Sequence, residues 1–353
     1  MESGVFYRVF GIRVRYTTPA RLGRGTEAVQ HLDQNTETRL LRTLSDGRFA
    51  SGTALGEALG IGRAGVARAV ARLRQAGLRI DAVRGRGYRI PGGYDPLDAV
   101  RARQAWVAAG GPDPSRFECL YRPASTNEHA LQTAERGTGV VFAEGQCAGR
   151  GRLGRAWVSP LGNIYLSVVH DFATVPEPPA PLALGVAVSL AERLRPLGVP
   201  VQVKWPNDLL VAGRKIGGIL TELRGDPLGP CRVVIGVGLN RYVPAATDHR
   251  GLSPGAITDA QVPGTERSTL AGSVAAWVAV GARRFERDGL APLLVGWEAV
   301  DALAGRTVHL EGSGRTTSGV ARGIDEHGRL RVETERGLAC FASGEAHLHR
   351  SAS

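Results

Sequence analysis

Three short segments hold residue types suited to gripping an anion. Gly149-Arg-Gly-Arg-Leu-Gly-Arg155 interleaves three glycines with three arginines. Guanidinium forks and open backbone N–H groups in such a loop could wrap a phosphate or a carboxylate. The loop satisfies G-x-G-x-x-G literally, but that fingerprint must open a helix after a strand. The chain that follows contains Pro160 and Gly162 and then reads as a strand, which argues against a dinucleotide-binding turn. No Gly-Lys-Ser/Thr follows either, so the loop is not a Walker loop. Taken alone, it is also compatible with a flexible surface loop.

Lys204-Trp-Pro-Asn-Asp208 is the second segment: Pro206 fixes a turn, and Asn207 and Asp208 offer a donor and an acceptor at its mouth. Gly213-Arg-Lys-Ile-Gly-Gly218 is the third, with Lys215 entering an apolar strand beside two glycines. Of 44 basic residues only these two, Lys204 and Lys215, are lysine. Lysine is a compact charge with a tunable pKa, whereas arginine is a planar fork that stays charged, so a site that keeps lysine has a use for the former. Three of the five asparagines, Asn127, Asn207 and Asn240, lie in or close to such segments. Each alone reads as a turn residue.

Strands and helices alternate around these segments. The patterns predict strands at Phe117–Tyr121, Val140–Glu144, Ile164–Val169, Val201–Lys204, Leu209–Val211, Lys215–Glu222 and Arg232–Leu239. Helices are expected at Asn127–Glu135, Leu182–Leu194, Leu270–Asp288 and Leu290–Val300. From about Leu303 the pattern changes to short strands between glycine-containing turns, a small all-β module.

The charge is uneven. The 353 residues carry a net +11, but residues 1–94 hold 16 Arg against 7 acids and the remainder is nearly balanced. Residues 1–34 read as a loose extension. Residues 37–46 form a short helix, and a second begins at Ser51, its N-cap, and ends at Gly60. After the tight turn Ile61-Gly62, a helix over Arg63–Gln75 places Val66, Val70 and Leu73 on one face and arginines on the other. Two short strands around Arg84-Gly-Arg-Gly87 follow as a hairpin. This is a winged helix-turn-helix, with Arg63, Arg68 and Arg72 facing the groove of DNA and Arg84 and Arg86 meeting phosphate or the minor groove. Ser51 is included in that DNA-facing set. The bland alternative is a small helical domain with a solvated basic face. Pro91-Gly-Gly-Tyr-Asp-Pro96 breaks the pattern and marks a boundary, and a linker helix is expected over residues 97–109. Four cysteines without a CxxC pair argue for a reducing, cytoplasmic setting rather than a disulfide or zinc scaffold. No apolar run approaches the length of a membrane span, and arginines interrupt the N-terminal apolar stretch as no signal peptide would allow.

Together, Ser125-Thr-Asn127, Ala143 through Trp157, Val203 through Leu209, Gly213 through Glu222 and Gly236-Val-Gly-Leu-Asn240 resemble bacterial biotin–protein ligases in order and spacing. The winged helix resembles the DNA-binding module of the bifunctional ligase/repressor form. Arg322-Gly-Ile-Asp325 and Ser343-Gly-Glu345 resemble its C-terminal domain. The resemblance implies an α+β chain. A loose extension at 1–34 precedes a winged helix at 35–95, a mixed α/β ligase domain at 96–302 and an SH3-like β-barrel at 303–353. It also implies a two-step reaction in which biotin and ATP with Mg2+ form biotinyl-5′-AMP, and biotin is then passed to a lysine of the biotin carboxyl carrier protein. Operator DNA of biotin genes and a homodimer promoted by the adenylate complete the expected partners; no protein metal site is expected.

By the same resemblance, Ser125, Thr126, Asn127 and Gln146 bind the biotin head group. Arg150, Gly151 and Arg152 border the biotin carboxylate and the adenylate phosphate, and Lys215 bridges the two. Lys215, Arg150 and Arg152 are the expected catalytic set. Gly149, Arg155, Lys204, Asn207, Asp208 and Asn240 lie on the nucleotide side, and Trp157 walls the adenine. Leu153 and Cys147 depart from the common pattern. Two other readings stay open: a biotin-sensing regulator without ligase activity, and a lipoate ligase on the same scaffold. The donor and acceptor groups at Ser125–Asn127 and Gln146 favour a ureido ring over a dithiolane.

Overall fold

The computed structural model describes residues 5–9, 12–16, 36–133, 137–174, 181–226, 229–243, 253–257, 266–312 and 315–348. The extension read as loose holds a hairpin, β1 (Val5–Val9) paired antiparallel with β2 (Ile12–Tyr16). Its two runs, Val-Phe-Tyr-Arg-Val and Ile-Arg-Val-Arg-Tyr, are rich in the β-branched and aromatic residues that favour strands. The rest of residues 1–34 lies outside the described residues.

Three helices follow: α1 (Thr36–Thr43), α2 (Gly52–Leu59) and α3 (Arg63–Gln75). Ser51 caps α2, its hydroxyl accepting the Ala54 N–H at 3.0 Å, and Gly60 ends it in the left-handed conformation. Val66, Val70 and Leu73 of α3 are buried against Leu40, Leu41 and Leu55. The wing is β3 (Asp81–Val83) and β4 (Gly87–Arg89). This core does not close on itself, because Leu161, from the middle of the chain, is buried within it.

The linker helix α4 (Ala99–Ala108) is capped by Asp98. The central domain is a seven-stranded sheet, and its elements run β5 (Arg116–Leu120), α5 (Thr126–Thr133), β6 (Gly139–Ala143), β7 (Ile164–Phe172), α6 (Leu182–Leu194), β8 (Gln202–Lys204), β9 (Asp208–Val211), β10 (Arg214–Gly225) and β11 (Cys231–Leu239). The strand order is β5-β6-β7-β11-β10-β9-β8, and only β5 and β6 pair in parallel. One face is covered by α6 and by α7 (Arg267–Asp288), whose buried Leu270, Val274, Val278 and Phe285 recur at helical spacing. The expected helix over Leu290–Val300 is split into a 3-10 turn at Ala291–Leu294 and the short α8 (Trp297–Val300). Pro292 and Gly296 explain the break, since proline removes a helical donor and glycine is a poor helix former.

Helix α4 crosses α7 at Gly272, where an added Cβ would lie 2.1 Å from the Ala102 carbonyl oxygen. The tail forms a five-stranded antiparallel sheet: β12 (Thr307–Gly312), β13 (Arg315–Ile324), β14 (Leu330–Thr334), β15 (Gly337–Phe341) and β16 (Glu345–Leu348), ordered β15-β14-β13-β12-β16. Its ladders leave β15 and β16 as edges among the described residues. Gly272→Ala is expected to push α4 off α7 and cost about 1–3 kcal/mol, as overpacking does. Thermal unfolding of the variant checks this, and an unchanged Tm would contradict the close crossing.

Candidate active site

The face of the sheet opposite α6 and α7 holds a cavity of about 220 Å³. Strand alternation builds its floor. On β11, Val233, Ile235, Val237 and Leu239 face the core, which leaves Gly236 and Gly238 on the cavity side. On β10, Gly218 and Leu220 share that side. A register shift between Lys215 and Gly217 turns Lys215 onto the same side and sends Ile216 into the core. The two glycines of β11 are required by close approach. A Cβ on Gly236 would meet Asn127 Oδ1 at 2.2 Å, and one on Gly238 would meet Trp157 Nε1 at 2.5 Å.

One end of the cavity is buried, polar and neutral. Gln146 Oε1 accepts the Thr126 N–H at 2.8 Å, and its Nε2 donates to Ser159 Oγ at 2.8 Å. Ser167 Oγ lies 2.8 Å from Thr126 Oγ1 and 2.6 Å from Asn127 Oδ1. Asn127 Nδ2 donates to Glu222 at 2.8 Å and to the Leu220 carbonyl at 3.3 Å. Asn127 is thus bonded through both atoms of its amide, and it lines this end together with Ser125, Thr126 and Gln146. Ser159, Ser167 and the supporting part of Glu222 did not show in the sequence. Isolated serines and a strand-end glutamate carry no spacing signal.

The other end is cationic. Lys215 Nζ sits 2.6 Å from Asp208 Oδ1 and 5.2 Å from the centre of the Trp157 ring. Trp157 lies on the glycine floor, and its Nε1 is buried without a partner among the described residues. Lys204 is only 5% exposed, and burial holds its ammonium below the usual lysine range, with Asp208 opposing and Lys215 adding to the shift. Arg150 lies 3.7 Å from both Glu128 and Glu222. Arg152 reaches Asn207 Oδ1 and the Gly344 carbonyl, each at 3.4 Å, and burial lowers its pKa as well. Arg155 is bonded to Glu345, so the C-terminal sheet contributes Gly344 and Glu345 to the rim. Spacing and residue type alone assign these two residues no role beyond their place in a motif.

The loop itself folds back on its own backbone, with Gly151 N–H donating to the Arg155 carbonyl and Trp157 N–H to that of Gly149, both at 2.8 Å. Gly149 does not line the cavity. It packs beneath the loop, where a Cβ would lie 2.4 Å from the Trp157 oxygen. Leu153 stands at the tip with φ 56° and is 64% exposed. Asn207 is pinned to β10 through the Ile219 carbonyl at 2.7 Å. Asn240 Nδ2 donates to the Gly255 carbonyl at 3.2 Å, and its Oδ1 is buried without a partner among the described residues.

The six residues expected to meet DNA form a separate surface. Ser51 is used as a helix cap. Arg63 donates to Thr53 Oγ1 at 2.8 Å, and Arg72 is bonded to Glu37 of α1, so both brace the helices as well as facing outward. Arg68 is exposed on the outer face of α3. Arg84 and Arg86 stand at the wing turn, Arg86 with its guanidinium 4.1 Å from the ring centre of Phe49.

Comparison with known proteins agrees with this division. Residues 119–240 match the model of the Biotin/lipoate A/B protein ligase family, residues 36–89 an HTH domain, and residues 304–348 the Biotin protein ligase C terminal domain. The bifunctional ligase/repressor BirA of Escherichia coli (strain K12) is 36% identical over 90% of this chain and 98% of its own. Its namesake from Bacillus subtilis (strain 168) is 31% identical over 85% and 94%. In the solved structure of biotin protein ligase from Aquifex aeolicus in complex with biotin and ATP, the match covers 66% of this chain and 98% of that one, with a TM-score of 0.55 and 26% identity. The chain belongs to the biotin protein ligases, in their bifunctional ligase/repressor form.

Proposed function

We propose that the cavity binds biotin with its head group at the neutral end and ATP at the cationic end, and that the chain joins them before passing biotin to a protein lysine. The observation that carries this is the polarity of one cavity. Ser125, Thr126, Asn127 and Gln146 offer donors and acceptors to a ureido ring. Arg150 and Arg152 of the loop, Lys204 of β8 and Lys215 of β10 surround the place where two anions must meet. A biotin carboxylate oxygen attacks the α-phosphorus, a P–O bond to pyrophosphate breaks, and biotinyl-5′-AMP forms. The deprotonated amine of the acceptor lysine then attacks the acyl carbon and AMP leaves. The protein's share is positioning and charge neutralisation; no side-chain nucleophile is needed. Lys215 sits between the two ends and is assigned to the carboxyl–phosphate linkage, Asn207 and Asp208 to the turn beneath the phosphates, and Asn240 to the nucleotide. Mg2+ arrives with the triphosphate.

The acceptor is the biotin carboxyl carrier protein and the winged helix binds operator DNA of biotin genes. A homodimer promoted by the adenylate presents two such helices to one operator, in the cytoplasm where ATP and the carrier protein are found. No helix among the described residues is long and apolar enough to cross a membrane.

Lys215→Ala should lower biotin-dependent ATP–pyrophosphate exchange by about 10²–10³-fold, the usual loss of one charge stabiliser, with the fold intact by circular dichroism. Unchanged exchange would remove Lys215 from the mechanism, and lipoate replacing biotin in the same assay would reassign the substrate. Lys204 gives a pH signature. Bound triphosphate favours its ammonium form, while burial in the free protein disfavours it. As pH rises through the lowered pKa, binding must recruit the missing proton, so KM for ATP climbs towards alkaline pH. In Lys204→Arg, which stays charged, that climb disappears. On the DNA side, Arg68→Ala and Arg84→Ala should each reduce the log–log salt slope of operator binding by about 1. Slopes equal to wild type would place these arginines off the phosphates.

A further inference from the structure

Phe49 stands beside the wing, half-buried, and is not among the residues of the winged-helix core. Two guanidiniums lie over its ring, that of Arg86 at 4.1 Å from the centre and that of Arg89 at 4.7 Å. Backbone fixes the ring from both sides. Ala50 pairs with Tyr88 of β4, each N–H donating to the other's carbonyl at 2.9 Å. Gly87 comes so close that a Cβ would lie 2.0 Å from the Ala50 carbonyl oxygen. On the other side, the Tyr94 N–H donates to the Ser45 carbonyl at 2.9 Å. Gly47, at φ 74°, passes Gly93 where a Cβ would lie 2.9 Å from the Gly93 nitrogen. Phe49 is thus a fixed part of the wing, although it precedes α2 in the chain.

The two arginines differ in charge balance. Arg89 donates to Asp81 Oδ2 at 3.0 Å across the strands of the wing, so its charge is matched. Arg86 is exposed in the wing turn, with its backbone N–H bonded to the Val83 carbonyl at 3.0 Å. Its guanidinium has the ring as its partner and no acidic one among the described residues. A carboxylate would also hold Arg86, but it would cancel the charge and would have to be displaced by a phosphate. An aromatic ring takes the flat face of the guanidinium and leaves the N–H donors in its plane free. Arg86 is therefore aimed without being neutralised. Arg84, in the same turn, has no ring contact among the described residues.

We infer that Phe49 is a positioning residue for DNA: it holds Arg86 ready for one backbone phosphate and does not touch the duplex itself. Covered by two guanidiniums, the ring is not a wedge between bases. The gain is entropic. An exposed arginine loses side-chain freedom when it meets a phosphate, and a ring that has already ordered it removes part of that cost. Phosphates carry no sequence, so the effect extends to every duplex the wing meets. The inference rests on the reading that the wing binds DNA.

Binding of the full chain is measured over a range of salt to two labelled duplexes, one carrying the operator of the biotin genes and one of random sequence. Phe49→Leu should weaken both by the same factor, about three- to fivefold, the loss of one exposed cation–π contact. Its log–log salt slope should stay that of wild type, because the same phosphates are met, whereas Arg86→Ala should lower the slope by about 1. Phe49→Tyr keeps the ring and should restore the affinity. Added to Arg86→Ala, Phe49→Leu should cost nothing further, since the two act as one coupled pair. A loss that persists there, that lowers the slope, or that is confined to the operator overturns the assignment, because Phe49 would then support the fold or touch the DNA. Should Phe49→Leu lose its fold by circular dichroism, lysine variants of the turn give the same test with the ring in place. Arg86→Lys keeps the charge and the slope but gives up the flat face, and should weaken both duplexes about threefold. Arg84→Lys has no ring to leave and should change binding by less than about twofold. Equal effects at the two positions overturn the role of Phe49. Wild-type protein that binds neither duplex overturns the DNA reading first, whereas wild-type binding that Phe49→Leu leaves unaltered overturns this inference alone.

Discussion

Two opposite charges with no solvent exposure, Glu144 and Arg267, hold this molecule's parts in register. Removing both from water costs more than their attraction returns unless every remaining donor and acceptor is satisfied. Here they are satisfied by backbone and one hydroxyl: the carbonyls of Asp95, Glu144 and Asn163 accept from the guanidinium, and the Leu97 N–H and Tyr94 hydroxyl donate to the carboxylate. Burial opposes the arginine's charge, but Glu144 more than restores it. Burial, with Glu144 beside it, drives the Tyr94 hydroxyl well above its usual range, so it stays a donor. A pair of packed apolar residues could fill the space as stably. It could not fix three separate backbone segments at once, and that fixing is what the linker, the sheet and the active-site loop have in common.

In the cavity the same economy appears in an exposed form. Among its cations, Lys215 is matched to Asp208, Arg150 to Glu128 and Glu222, and Arg155 to Glu345. Five positive groups crowded together would otherwise repel one another and open the site. An anionic ligand then exchanges carboxylate partners for its own oxygens, so the cations arrive at the chemistry already placed. The three glutamates that hold these arginines lie on α5, β10 and β16, and the loop is thereby tied to three parts of the fold at once.

Much of this was legible in the sequence because the informative residues are punctuation. The bounds of α3 and α6 agree with expectation because apolar residues at helical spacing are closed by Gly62 and Ala76-Gly77 in one case and by Pro181 and Arg195-Pro196 in the other. Gly236 and Gly238 marked the cavity floor, where a side chain would collide with Asn127 or Trp157. What stayed hidden was long-range. Arg267 is one arginine among 42 in the sequence, and nothing local separates a buried one from the solvated rest. Leu161 reads as part of the ligase domain, and only three dimensions place it in the winged-helix core. Gly149 lies beneath the loop, outside the cavity lining, and its lack of a side chain serves the close turn there.

The two lysines that survive in an arginine-rich chain now have separate physical reasons. Lys204 sits in a buried slot on β8, with Lys215 raising the cost of its charge and Asp208 lowering it. A guanidinium there would be permanently charged and planar, with five donors to satisfy where the described residues offer it no bonded partner. Lys215 has the opposite surroundings, half-exposed, paired with Asp208 and lying over the Trp157 ring. Its single ammonium can turn from the carboxylate to a ligand oxygen without leaving the ring face, whereas a fork bonded to Asp208 through two N–H groups would have to break both. One position thus favours lysine for its adjustable charge and the other for its point-like reach.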